Sequence, residues 1–141
     1  MPMPQEYWQA SRDFEAFMDD LKQETLLATH NMVYTMLEGV FRTFRARLTV
    51  DQACRFADEL PPVLRAIFVA EWRPAAPLPF ARRDVLESEV AKLRRHHNFS
   101  PDNAIASVAT VLWRHVDTER FEAMLSDLPP EASEFWRGKQ T

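Results

Sequence analysis

Two glycines stand against ten prolines in this 141-residue chain, and that imbalance constrains the fold more than any other feature. Hairpin turns draw on residues that accept a positive φ, which glycine does freely. Proline fixes φ and removes an amide donor, so it stops helices or opens them. A chain poor in the first residue and rich in the second is expected to be all-α, with proline-punctuated connections. A composition of 46% hydrophobic and 27% charged residues suits one compact domain, or two small halves sharing a core.

Apolar spacing places the helices. Phe14, Phe17, Met18 and Leu21 share one face of a first helix, with Ser11 or Asp13 as its cap. Val33, Met36, Leu37, Val40, Phe41 and Phe44 mark the longest and most buried helix of the first half. Thr49 and Gln52 have capping-box spacing and open a third helix, expected to bury Ala53, Cys54, Ala57 and Leu60. Pro61 and Pro62 open a fourth, which carries Val63, Leu64, Ile67 and Phe68 inward. Beyond the prolines at 74, 77 and 79, the inward set Val85, Leu86, Val90 and Leu93 predicts a helix that ends near Arg94, Arg95, His96 and His97. Ser100 and Pro101 then read as N-cap and N1 of a helix that buries Ala104, Ile105, Val108, Ala109 and Leu112. Asp117 caps a helix with Phe121, Met124, Leu125 and Leu128 inward; Pro129 and Pro130 open a short last segment to Trp136, and Gly138 reads as its C-terminal stop.

Leu60-Pro61-Pro62 and Leu128-Pro129-Pro130 lie 68 residues apart, and the same offset carries Thr49 onto Asp117, Val40 onto Val108, Phe44 onto Leu112 and Phe68 onto Trp136. Caps fall on caps and core on core, which is the mark of an internal duplication. Gly39 falls on Ser107, so both halves place a small residue where helices approach closely. The expected architecture is two tandem pseudo-symmetric repeats of about four helices each, packed into one compact bundle through their long second helices. Its boundaries are an N-terminal extension (1–12), repeat 1 (13–72), a proline-rich linker (73–80), repeat 2 (81–137) and a tail (138–141).

The 17 basic and 21 acidic side chains leave a net charge of −4, spread over both halves. Without a strong positive field, nucleic acid is not an expected partner. Cys54 is the sole cysteine, so an intramolecular disulfide and a cysteine zinc cluster are out of reach. The start lacks the pattern of a secretory signal, and the uncharged run Thr25 to Leu37 is 13 residues long, too short to span a membrane, which takes about 20. A cytoplasmic protein without a membrane segment is expected.

Chemistry-bearing patterns are sparse. His96 and His97 are adjacent and point about 100° apart on a helix, so they cannot share a metal. His30 and His115 read as exposed or helix-end residues. Asp19, Asp20 and Glu24 read as a solvated acidic face, and Cys54 as a buried, inert thiol. Arg42, Arg45 and Arg47 gather at the end of the long helix, with Arg65 and Arg73 nearby in sequence; there they complement its dipole and pair with Asp58 or Glu59. The functional reading of Arg42 and Arg45 is contact with an anion or an acidic partner. Tyr7 and Trp8, outside the first periodic segment, are the candidate interface anchors. Trp72 and Trp136 are expected to seal the ends of the two halves.

The run Phe41-Arg42-Thr43-Phe44-Arg45-Ala46-Arg47-Leu48-Thr49, followed by Asp58-Glu59-Leu60-Pro61 and Glu71-Trp72-Arg73-Pro74, resembles the bacterial family known as domain of unknown function 2267. Members of that family read like L-R-x-R-L, then Q-L-P, then G-W-R-P. The resemblance covers nearly the whole chain, and Glu59 and Glu71 stand where glutamine and glycine are usual. It implies a helical bacterial protein and brings no catalytic residues.

No catalytic residue, cofactor or metal ligand is therefore assigned, and the chain is not expected to be an enzyme. The expected function is that of a protein-interaction or assembly module, with a protein partner or self-association as a homodimer. The alternative is a helical protein that binds a small molecule or metal in a pocket between the two repeats.

Overall fold

A computed structural model describes residues 1–27, 29–93 and 103–138, and among these residues the secondary structure is helical throughout. The all-α class expected from the glycine and proline counts is what the chain adopts. Helix α1 (Gln5–Trp8) meets α2 (Ala10–Thr25) at Gln9. Ser11 and Asp13 are thus interior to α2 and do not cap it, and the segment expected as an extension is helical from Gln5. The reason is local: after Pro4 nothing in the sequence breaks a helix before the first apolar face begins.

Thr29 caps α3 (His30–Arg45) by accepting from the Met32 amide. Thr49 caps α4 (Val50–Asp58) in a complete capping box, its hydroxyl accepting from the Gln52 amide while the Gln52 side chain accepts from the Thr49 amide. Pro62 opens α5 (Pro62–Val69), and residues 73–80 run without helix to α6 (Arg83–Lys92). Helix α7 (Ala104–Arg114) follows; its Ile105 amide donates to the Glu87 carboxylate on α6, a cap supplied across the fold. Asp117 caps α8 (Thr118–Ser126), and Pro130 opens α9 (Pro130–Phe135). The proposed cap at Ser100 and Pro101, and the helix end at Arg94, Arg95, His96 and His97, lie outside the described residues.

One core serves both halves of the chain. Its centre is aromatic: Phe44 approaches Phe135 at 4.8 Å, Phe56 approaches Phe121 at 5.7 Å, and Trp136 stacks on Phe56 at 5.2 Å. Trp136 is fully buried there and so does not seal an end as expected. Helix α2 packs along α7, α3 along α6, α3 crosses α7, and α4 meets α8. Exchanging α2–α5 with α6–α9 in order maps the first two of these pairings onto each other and the last two onto themselves.

Three expectations about individual side chains are corrected. Cys54 is exposed and Phe56 is buried in its stead; Ala53, Phe56, Ala57 and Leu60 hold the i, i+3, i+4, i+7 stripe of α4 and the turn after it, whose centre lies about 110° from Cys54. Val85 and Leu93 are exposed while Leu86 and Val90 are buried, because α6 meets the bundle over a narrow stripe. Gly138 does not adopt a positive φ. It is needed for space, since a Cβ there would lie 2.7 Å from the Thr110 Oγ1. Gly39 meets its expectation: a Cβ would stand 3.2 Å from the Val90 carbonyl oxygen, at the close approach of α3 and α6.

Candidate functional site

The end of α3, the linker and α6 enclose a cleft of about 380 Å³. Each wall has a local cause. The last turn of α3 turns Arg42 to the side away from the buried stripe of Val40, Phe41 and Phe44, while Arg45 is buried beside that stripe and reaches the end of α5. The linker is held against that turn where the Leu78 amide donates to the Ala46 carbonyl at 2.9 Å. Its prolines leave few amides to satisfy, so Trp72, Ala75, Ala76 and Leu78 can lie as an extended wall. Glu89 and Leu93 of the α6 segment complete the enclosure.

Among the described residues the lining is mostly apolar and carries three guanidinium groups, those of Arg42, Arg45 and Arg73. They differ in how far they are committed. Arg45 is buried and donates from one nitrogen to the carbonyls of Phe68 and Ala70, both at 2.9 Å, which ties down the end of α5. Burial first, and the charge of Arg42 second, push its guanidinium below the usual arginine range. Arg42 is half-exposed, 3.5 Å from Glu38 and 3.2 Å from Glu71. Arg73 is exposed and has no hydrogen-bond or ion-pair partner among the described residues. Glu89 brings no free negative charge, because Arg47 grips both its oxygens. The site therefore presents an apolar surface with the uncompensated charge of Arg73 at one side, suited to an anionic head on an apolar stem.

The arginine pair singled out by sequence is thus brought together on one wall, but its partners are not Asp58 and Glu59. Glu59 pairs with Arg120 at 3.2 Å on another face. Arg73, near the pair in sequence, belongs to the same site, and so does Trp72, for which no periodic signal says that it would. A counterpart to the Arg45 clamp escaped the sequence reading as well: Arg83 donates to the carbonyls of Glu134 and Phe135 and ties down the end of α9.

Tyr7 and Trp8 lie on α1, which buries none of its residues. Trp8 is 71% exposed, and the Tyr7 hydroxyl meets the Arg65 guanidinium only at 3.5 Å. The acidic cluster on α2 holds the bundle together: Asp19 pairs with His30 at 2.9 Å, Asp20 with Arg114 at 2.8 Å and His115 at 3.0 Å, and Glu24 with Arg114 at 3.6 Å. His115 also sets its ring edge-on against buried Phe17. A second, polar cleft of about 290 Å³ holds Glu6, Asp13, Asp58, Glu59 and Asp117. Three of those carboxylates are engaged, by Arg65, by Arg120 and by the first turn of α8. Among the described residues no three His, Cys, Asp or Glu side chains are placed to hold a metal ion, and no helix is long and apolar enough to cross a membrane.

No curated protein matches the chain. The model of the family described as "Uncharacterized conserved protein (DUF2267)" matches residues 14–135, nearly the whole chain, and the protein belongs to that family.

Proposed function

We propose that this protein is a non-enzymatic binding module whose recognition site is the cleft between α3, the linker and α6, and whose ligand is an aliphatic carboxylate. One observation carries the reading: among the described residues, three guanidinium groups stand on a mostly apolar lining whose one carboxylate is held by Arg47, and Arg73 has no counterion. Arginine forks match carboxylates in shape and charge, and the apolar lining rewards a stem that water solvates poorly. Among the described residues the lining offers no thiol, hydroxyl or imidazole, which supports a role in binding over one in catalysis. The test is calorimetric titration with octanoate, against octanol as the uncharged control. Binding of octanoate that weakens about fivefold or more in Arg73→Ala, with no binding of octanol, is the expected result. Equal affinity for both probes would remove the anion from the reading.

A second reading rests on Trp8. An exposed tryptophan on a helix with no buried residue favours self-association through α1, because aromatic anchors concentrate interface energy. Sedimentation of the wild type and of Trp8→Ala would show a dimer lost in the variant. A wild-type monomer at every concentration would end this reading.

Two further proposals complete the picture. The chain is a duplicated helical unit, supported by the exchangeable helix pairings and by matching caps at Thr49 and Asp117. It works in a reducing compartment such as the cytoplasm, which suits the exposed thiol of Cys54.

A further inference from the structure

Among the described residues only Leu26 and Glu71 hold a positive φ without being glycine. Glu71 does so at φ 56, directly after the C-cap Ala70 of α5 and directly before Trp72 and Arg73 of the cleft. An L-residue with a Cβ is strained in this region, and such strain persists where something else compensates it. The compensation is visible at Glu71: the turned backbone brings its carboxylate to Arg42, Oε2 to guanidinium nitrogen 3.2 Å. The Glu71 side chain is 83% exposed, so it does not fill the cleft or support the core. It stands in water at the edge of the cleft, bound to one of the lining cations.

We infer that Glu71 sets the affinity of this cleft: its carboxylate is an internal counterion on Arg42, which an incoming carboxylate displaces to bind. This rests on the reading of the cleft as a carboxylate site, and it adds what sets the affinity of that site. Arg42 stands close enough to Arg45 to disfavour the charge of Arg45, while Glu38 and Glu71 offset that effect. Glu38 is fixed one helical turn away at 3.5 Å, so Glu71, on an exposed turn, is the partner that can give way. A ligand carboxylate then takes its place beside Arg42, with Arg73 as the second cation and the stem along Ala46, Leu48 and Leu78. Leu26 provides the contrast, since it holds the same backbone geometry with no charge to deliver.

The experiment is calorimetric titration of octanoate into wild type, Glu71→Gln, Glu71→Gly and the double variant Arg42→Ala/Glu71→Gln, with Arg42→Ala alone as reference. Glu71→Gln keeps the side-chain length and removes the charge, and Glu71→Gly also relaxes the backbone. Because exposed ion pairs are weak, both single variants are expected to bind octanoate about two- to fivefold more tightly than wild type. In the Arg42→Ala background the Gln substitution is expected to bring no gain. Wild-type affinity in both Glu71 variants overturns the counterion role and leaves the cleft as a carboxylate site. An undiminished gain without Arg42 overturns it as well, by showing a diffuse charge effect. No octanoate binding by any of the proteins, each folded by circular dichroism, overturns the cleft reading and this inference with it.

Discussion

Arg47, in the turn after α3, and Glu89, on α6, form a forked pair across 42 residues, with nitrogen to oxygen distances of 2.5 and 3.0 Å. The same Arg47 nitrogen that makes the shorter bond also donates to the Thr43 carbonyl. The Arg47 side chain is almost wholly buried, Glu89 is 33% exposed, and the Arg47 Nε has no partner among the described residues. Removing Glu89 therefore strands a buried cation. Glu89→Ala is expected to cost about 2–3 kcal/mol, less than for a fully buried pair because Glu89 keeps some water. The double replacement Arg47→Met/Glu89→Leu is expected to recover most of that loss, since the ion pair is incompletely satisfied. Urea unfolding of the three proteins measures both effects.

The two arginines named from sequence should separate cleanly. Arg45 supplies buried hydrogen bonds to Phe68 and Ala70, and Arg45→Ala leaves those carbonyls without a donor. A loss of about 2–3 kcal/mol in unfolding free energy is expected. Arg42 makes only partly exposed ion pairs, so Arg42→Ala should change stability by less than about 1 kcal/mol. It is expected to weaken octanoate binding all the same.

Gly39 is a test of the α3 and α6 contact. A Cβ there already presses on the Val90 carbonyl oxygen at 3.2 Å and on its Cγ1 at 3.3 Å, and a branched side chain has no room to turn away. Gly39→Val is expected to destabilise by about 2–3 kcal/mol through overpacking. Gly39→Ala should be far milder, because the gain of about 1 kcal/mol in helix propensity offsets a small shift of Val90. Thermal unfolding of the pair would show the difference.

Leu26 ends α2 at φ 57 and is 89% exposed. Glycine relaxes that backbone and sacrifices little packing, so Leu26→Gly is expected to stabilise by about 1 kcal/mol, or about 3 °C in Tm. Glu71→Gly should gain less, because it also surrenders the pair with Arg42. Calorimetric melting curves of both variants check the order.

Much of the fold was legible where the relevant physics is local. Thr49 with Gln52, and Asp117, act as caps within one turn of themselves. The buried stripe of α3 is the one its spacing marks, and Pro62 and Pro130 open helices as their fixed φ allows. Where an apolar stripe admits two phases, spacing alone favours the wrong one: it puts Cys54 inward and leaves Phe56 out, the reverse of what the fold adopts. The larger ring won because it reaches Phe44, Phe68, Phe121 and Trp136, and no neighbour in sequence announces that company.

The candidate site was half legible. Arg42 and Arg45 are conspicuous as a pair at a helix end, but their roles depend on groups 23 to 29 positions away. Trp72 and Arg73 lie in a stretch without period, and no rule of spacing says which helix a proline-rich connection will lean on. The local chain, through its caps, prolines and apolar stripes, determined which segments are helical and which faces seek the core. The tertiary structure alone decided which charges meet and which strained backbone is tolerated, because those energies exist only once one shared core has brought distant segments within a few ångströms.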